Sequence, residues 1–218
     1  MKSCSYVRAF IAEAIGMTAF CSLGFLYYQM AISRWNIPYT IAFFFGLLVF
    51  LISLIPSPKY FIALNPAISM TRIISGSQGR WIGIAAVCGQ VIGASVSLAT
   101  LHYSGVGLPL IDSSISVWIL AVIIEAVGSF LIAAIVIIGE KNQLVRSVVG
   151  LWLWVVITCA GLIFSLFGRS ILNPAIAFSL LLISGTSSIF CHIAYVGGPF
   201  LGALLAHLVL KLCYVDKN

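Results

Sequence analysis

The chain has 218 residues, of which 62% are hydrophobic and only 7% are charged, and its formal net charge is +6. About a quarter of the residues of a soluble domain are charged, so this composition excludes a soluble protein. The mean hydropathy of +1.18 comes from continuous apolar runs of about 20 residues, which are typical of membrane-spanning helices rather than of a transmembrane barrel.

The apolar runs predict six spans in chain order, at 9–31, 38–56, 81–102, 116–139, 147–167 and 191–213. Two further apolar segments, 65–75 and 173–185, are too short to cross a bilayer and are predicted to be re-entrant half-helices. The predicted fold class is therefore all-α transmembrane, with six membrane-spanning helices plus two half-helices in one domain over 1–218.

The basic residues are distributed unequally between the two predicted faces of the membrane. If both termini are cytoplasmic, only Arg34 and Arg169 lie outside, and the cytoplasmic face holds Lys2, Arg8, Lys59, Arg72, Arg80, Lys141, Arg146, Lys211 and Lys217. This positive-inside bias predicts a multi-pass protein with both termini in the cytoplasm, and we expect the plasma membrane as the default location. The positive charge thus reports topology, and no nucleic-acid partner is expected.

The tripeptide Asn-Pro-Ala occurs twice, as Asn65, Pro66 and Ala67 and again as Asn173, Pro174 and Ala175. Asn is a favoured helix N-cap, and Pro fits the first helical position. A helix that begins inside the bilayer leaves free N–H groups and a positive dipole end there, which is tolerated where the backbone lines a water-filled cavity. The duplicated motif therefore predicts two half-helices that meet in a pore.

The chain divides into two repeats, at about 1–110 and 111–218, and each begins with a span that carries a glutamate, Glu13 or Glu125. Three spans per repeat is an odd number, so the second repeat enters the membrane from the opposite side, which makes an inverted repeat. An intramembrane carboxylate rarely faces lipid. The two glutamates are either a proton relay or structural acceptors for N–H groups of the half-helix loops.

These motifs resemble the aquaporin (major intrinsic protein) family along nearly the whole chain. The resemblance is carried by the two Leu-Asn-Pro-Ala motifs, the sequences around Glu13 and Glu125, Gln90 in the third span, and the segment 192–203 that begins at His192. It implies a pore in each protomer of a homotetramer. It also favours the structural role for both glutamates, and Gln90 and His192 are expected to support the same loops.

In such a pore, Asn65 and Asn173 are expected to donate side-chain N–H groups to a passing water or hydroxyl oxygen. The oxygen then cannot easily donate along the file, so proton hopping is interrupted, and the two helix dipoles repel cations.

The narrow outer constriction is the place where the chain departs from the family. Counted from the motifs, Phe45, Gly161, Ser170 and Ile176 occupy the four constriction positions, and Ile176 stands where most relatives have Arg. We expect a wide, apolar constriction without fixed charge, which admits solutes larger than water and weakens the barrier to cations. Arg169 either supplies the missing charge from the vestibule or is an exposed loop residue.

The function predicted from these residues is a passive membrane channel for water and small neutral solutes such as glycerol, with proton exclusion at the paired Asn-Pro-Ala motifs. The alternatives are a glycerol- or urea-type facilitator with low water flux, a coupled transporter that uses Glu13 and Glu125, and a structural membrane protein with a closed pore. We do not expect an enzyme, a cofactor or a metal site, because nucleophile–base and metal-ligand spacings are missing from the sequence.

Overall fold

The structure is a computed structural model that describes residues 3–34, 39–54, 62–109, 111, 118–142, 148–165, 170–185 and 188–215. It is all-α. In chain order its helices are α1 (Ser3–Ser33), α2 (Thr40–Ser53), α3 (Pro66–Ile74), α4 (Arg80–Tyr103), α5 (Trp118–Lys141), α6 (Val149–Ser165) and α7 (Pro174–Ser184), followed by α8. The last helix, α8, consists of three consecutive segments, Ile189–Cys191, His192–Gly197 and Gly198–Val215.

Four of these helices, α1, α4, α5 and α8, are long and apolar enough to cross a membrane. They coincide with the predicted spans 9–31, 81–102, 116–139 and 191–213. The chain is therefore a multi-pass membrane protein with four candidate spans.

The predicted spans 38–56 and 147–167 correspond to the shorter apolar helices α2 and α6, which have 14 and 17 residues. At 1.5 Å per residue these two helices are about 21 and 26 Å long, below the ~30 Å thickness of the hydrocarbon core.

The middle segment of α8 is π-helical over His192–Gly197, immediately before Gly198 and Pro199. Proline has no N–H to donate to the carbonyl four residues earlier, and its ring crowds that carbonyl. The widened turn accommodates this missing hydrogen bond, as π-bulges commonly do.

The most extensive helix contacts are those of α1 with α4 and of α5 with α8. In the first pair, the Cα atoms of Gly89 and Gly93 face the carbonyl oxygens of Phe10 and Ala14, so the two helices run parallel. In the second pair, Gly202 faces the carbonyl oxygen of Ala126 in the same manner. A side chain at any of these glycines would collide with the neighbouring backbone, which explains why small residues stand there.

Candidate pore and its central junction

The helices α3 and α7 begin with matching caps. Asn65 and Asn173 have extended backbones, and the side-chain Oδ1 of each accepts a hydrogen bond from the N–H two residues later, Ala67 at 3.0 Å and Ala175 at 3.1 Å. Proline occupies the first helical position in both helices, where no N–H is needed. Both Asn-Pro-Ala motifs thus begin a helix, and the two helices begin in the same way.

Each cap is preceded by a leucine in the left-handed region, Leu64 with φ of 52° and Leu172 with φ of 54°. This conformation costs an L-amino acid roughly 1–2 kcal/mol, and it is rare for residues other than Gly, Asn and Asp. The same strained backbone at two positions 108 residues apart indicates that the local geometry is imposed by tertiary contacts.

Those contacts are reciprocal hydrogen bonds between the two loops. The Nδ2 atom of Asn65 donates to the carbonyl oxygen of Leu172 at 2.8 Å, and the Nδ2 atom of Asn173 donates to that of Leu64 at 2.7 Å. We call these four residues and their two cross-links the Asn junction. It holds the N-termini of α3 and α7 against each other in the interior of the molecule, with the positive dipole end of each helix directed at this point.

The cross-links also limit what the two amides can offer to a solute. A primary amide has two N–H donors, and the Asn junction uses one on each side chain. Asn65 and Asn173 retain 9% and 7% of their surface exposed, and both line the cavity described below. Each amide therefore has one remaining N–H for the expected donation to a passing oxygen.

Glu13 and Glu125 hold the two loops in equivalent ways. The carboxylate oxygens of Glu13 accept from the N–H groups of Ala63 and Leu64 at 2.7 and 2.8 Å, and those of Glu125 accept from Ile171 and Leu172 at 2.5 and 2.7 Å. Both side chains are fully buried. Backbone donors therefore take up both oxygens of each carboxylate. This is the geometry of a structural acceptor, and these hydrogen bonds hold each strained leucine in place.

Gln90 and His192, predicted to support the loops, lie in different surroundings. The Nε2 atom of Gln90 donates to the Ser69 hydroxyl at 2.9 Å, which ties α4 to α3 one turn after the Asn junction. The Nδ1 atom of His192 lies 2.9 Å from the Ser188 carbonyl oxygen, at the start of its own helix α8. The structure thus brings Gln90 to a half-helix, and the polar contact of His192 is local.

A cavity of about 440 Å³ extends to both sides of the Asn junction. Its wall follows one face of α2 at helical spacing from Tyr39 through Phe45 and Val49 to Ser53, which is a rise of about 21 Å. We call its two ends the Tyr39 end and the Ser53 end. Gly161 faces Ala42 and Gly150 faces Ser53, so α6 runs antiparallel to α2 and packs directly against it.

All four predicted constriction residues, Phe45, Gly161, Ser170 and Ile176, line this cavity towards the Tyr39 end. Phe45 is fixed by edge-on contacts with Phe20 and Phe25, both with ring centroids 5.4 Å apart. None of the lining residues that the structure describes is charged. Arg169 lies outside the described residues.

Sequence reasoning missed several residues of this site. Ile68, which follows the first motif as Ile176 follows the second, lines the cavity on the other side of the Asn junction. The repeat itself was the available signal, because a pseudo-two-fold axis assigns matching positions to both isoleucines. An ion pair at the Ser53 end, between Arg72 and Glu140, was also not predicted.

In the described part of the chain, no three His, Cys, Asp or Glu side chains form a group that could hold a metal ion.

Comparison with known proteins adds no family assignment. No family model matches the chain, and no curated protein matches it significantly.

Proposed function

We propose that the protein is a passive membrane channel of the aquaporin type, which conducts water and small neutral solutes such as glycerol and blocks protons at the Asn junction. The proposal includes α2 and α6 as two further membrane-crossing helices, so that six spans and the half-helices α3 and α7 form an inverted repeat. It also includes a homotetramer in the plasma membrane, with both termini and the Ser53 end of the cavity on the cytoplasmic side.

The observation that carries the proposal is the Asn junction inside an elongated cavity. Two helix N-termini with their caps are opposed at the centre of a passage whose described lining residues are mostly apolar and include no charged side chain. Such an arrangement offers hydrogen-bond donors to an oxygen atom and a positive potential to a cation, which suits a neutral solute and excludes ions and protons. Irregular backbone at membrane depth is also tolerated where it lines a cavity.

The constriction residues favour a facilitator of the glycerol or urea type with low water flux as the second candidate. Gly161 adds no side-chain bulk, and the aliphatic Ile176 is 4% exposed. An aliphatic wall cannot replace the hydrogen bonds that a water molecule makes in bulk water. A solute with carbon atoms has fewer hydrogen bonds to lose for its size, so its transfer to this constriction costs less free energy. The same apolar constriction supports the third candidate, a structural membrane protein with a closed pore.

Osmotic flux measurements separate these candidates. The purified protein is reconstituted in liposomes, and light scattering is followed after a shock with an impermeant osmolyte and after a shock with glycerol. Fast shrinkage with fast glycerol reswelling supports the general channel, and slow shrinkage with fast reswelling supports the facilitator. Folded protein without flux above empty liposomes would contradict both and leave the closed pore.

Two variants at one position connect the flux to the cavity. We expect Ile176→Arg to reduce glycerol flux by about tenfold, which corresponds to ~1.4 kcal/mol in the barrier, because a long side chain narrows the constriction. The matched control Ile176→Leu keeps volume and polarity and should leave glycerol flux nearly unchanged. Equal fluxes in all three proteins would mean that solute does not pass this residue.

A further inference from the structure

At the Asn junction the protein itself engages the acceptor atoms, whereas N–H donors remain for a solute. The Oδ1 atom of each asparagine accepts the cap hydrogen bond from the N–H two residues later. The carbonyl oxygens of Leu64 and Leu172 accept the two cross-links. Each amide has a second N–H that the cross-link does not use. Asn65 and Asn173 are 9% and 7% exposed and line the cavity, so a solute at this point meets hydrogen-bond donors.

Aliphatic side chains flank the Asn junction on both sides. Ile68 and Ile176, each the residue that follows its motif, line the cavity and are 3% and 4% exposed. Their side chains carry neither a donor nor an acceptor. A solute whose oxygen accepts a hydrogen bond at the junction therefore has hydrocarbon on both sides along the passage.

The other polar side chains of the described lining bear hydroxyl groups. A hydroxyl group both donates and accepts, so it can bind a carbonyl oxygen or an O–H group and favours neither kind of solute. These residues are Tyr28, Tyr39, Ser53, Ser170 and Tyr195. Among the described side chains of the lining, the excess of donors is therefore a property of the Asn junction.

We propose that the Asn junction selects solutes by their acceptor oxygen, so that small uncharged carbonyl compounds pass faster than alcohols with the same carbon skeleton. The inference rests on the proposed channel function and names its solute class. A carbonyl oxygen accepts from the remaining N–H groups and has no hydrogen of its own that needs a partner. A hydroxyl oxygen accepts as well, but its O–H then needs an acceptor, and a buried donor without one is costly. Glycerol brings three such hydrogens, and dihydroxyacetone brings two.

Matched pairs of solutes test this preference in the parent protein. Hydroxyacetone and propylene glycol share one carbon skeleton and differ by a carbonyl in place of one alcohol group, and dihydroxyacetone and glycerol form a second such pair. Reswelling of reconstituted liposomes is followed for each solute, and the rate in empty liposomes is subtracted. We expect hydroxyacetone to enter about tenfold faster than propylene glycol, which corresponds to ~1.4 kcal/mol in the barrier. The second pair should show the same order.

Equal rates within the pairs, or faster entry of the alcohols, would overturn the inference and leave the channel standing. Such a result would mean that backbone carbonyls or accompanying water molecules accept the O–H groups. A folded parent that conducts neither water nor any of the four solutes would overturn the channel and its selectivity together.

Two substitutions of similar shape locate the preference. Threonine and valine are both β-branched, but only threonine has a hydroxyl oxygen that can accept an O–H. We expect Ile176→Thr to raise the entry of propylene glycol relative to hydroxyacetone several-fold. The matched control Ile176→Val should keep the parent ratio of the two rates, although each rate can change with the width of the passage.

Ile68→Thr and Ile68→Val repeat the comparison on the other side of the Asn junction, and they decide if the variants of Ile176 do not fold. A ratio that changes equally in the threonine and valine variants would trace the selection to width and contradict the proposal.

Discussion

The two short helices α3 and α7 begin alike and end differently. Both follow a left-handed leucine, carry an Asn cap with the same hydrogen bonds, and have proline at the first helical position. Their C-terminal turns diverge, since the last turn of α3 contains Arg72, whereas the last turn of α7 contains no basic residue and is followed by Gly185, whose φ is 64°.

The N-termini of the two helices are constrained by each other, whereas their C-termini are constrained by different surroundings. The N-termini face each other, so any change in one changes the environment of the other. Both therefore have the same cap and the same backbone conformation. Each C-terminus faces a different end of the molecule, where Arg72 has Glu140 as a partner and Leu180 lies against an apolar core. The comparison predicts that substitutions at the junction act alike in both halves and that those further along the helices do not.

The largest effect is expected at the two glutamates. Glu13→Leu and Glu125→Leu each leave two N–H groups without an acceptor, and at 1–3 kcal/mol for each buried donor the loss is about 2–6 kcal/mol in the free energy of unfolding. A reversible titration with denaturing detergent measures it. Glu13→Gln and Glu125→Gln, which keep one acceptor oxygen, serve as controls and should lose less. A large effect at one glutamate and none at the other would break the equivalence of the two loops.

A smaller effect is expected from Asn65→Ala and Asn173→Ala. Each removes a helix cap worth about 1 kcal/mol and one cross-link worth about 1 kcal/mol, so the same titration should show a loss of roughly 2 kcal/mol for either variant. Asn65→Ser and Asn173→Ser keep a capping oxygen without adding charge and lose the amide donor, which isolates the cross-link. Additive losses in the double alanine variant would mean that the two cross-links do not depend on each other, contrary to a shared junction.

The smallest effect distinguishes the halves. Gln90→Leu removes the hydrogen bond to Ser69, and we expect a loss of about 1 kcal/mol in the free energy of unfolding. In the second half, Ala177 stands at the position of Ser69, four residues after the motif asparagine. Pro199 stands at the position of Gln90, because it follows Gly198 as Gln90 follows Gly89. Neither residue has a polar side chain, so an equivalent hydrogen bond is impossible. Ser97→Ala in the same helix, which touches the Ser22 hydroxyl instead, is the control for a general effect on α4. Exchange of α3 amide hydrogens should accelerate in Gln90→Leu and stay unchanged in that control.

The sequence predicted those parts of the structure that depend on local chemistry and on the repeat. The Asn-Pro pairs specify helix starts by themselves, and the apolar runs specify four long helices. A carboxylate within an apolar run needs hydrogen-bond donors, because it rarely faces lipid. The sequence alone therefore indicated that Glu13 and Glu125 bind polar groups inside the protein.

The features that could not be predicted depend on contacts between distant residues. Arg72 and Glu140 are 68 residues apart, and each alone is an ordinary charge near the end of a helix. The left-handed leucines contradict the preference of their residue type, because glutamate and asparagine hydrogen bonds override it. The prediction that His192 acts as Gln90 does stays a prediction, and the polar contact described for its Nδ1 atom is the local one with the Ser188 carbonyl oxygen.

The Asn junction also sets an order of events during synthesis. Leu64 and Asn65 leave the ribosome 108 residues before Leu172 and Asn173, which at about 5–20 residues per second is a delay of roughly 5–20 s. During that time the first loop has the Glu13 carboxylate but lacks both cross-links to its partner, so nothing yet compensates the strain at Leu64 completely. Both cross-links join the two halves, so neither can form before the second half has been synthesised.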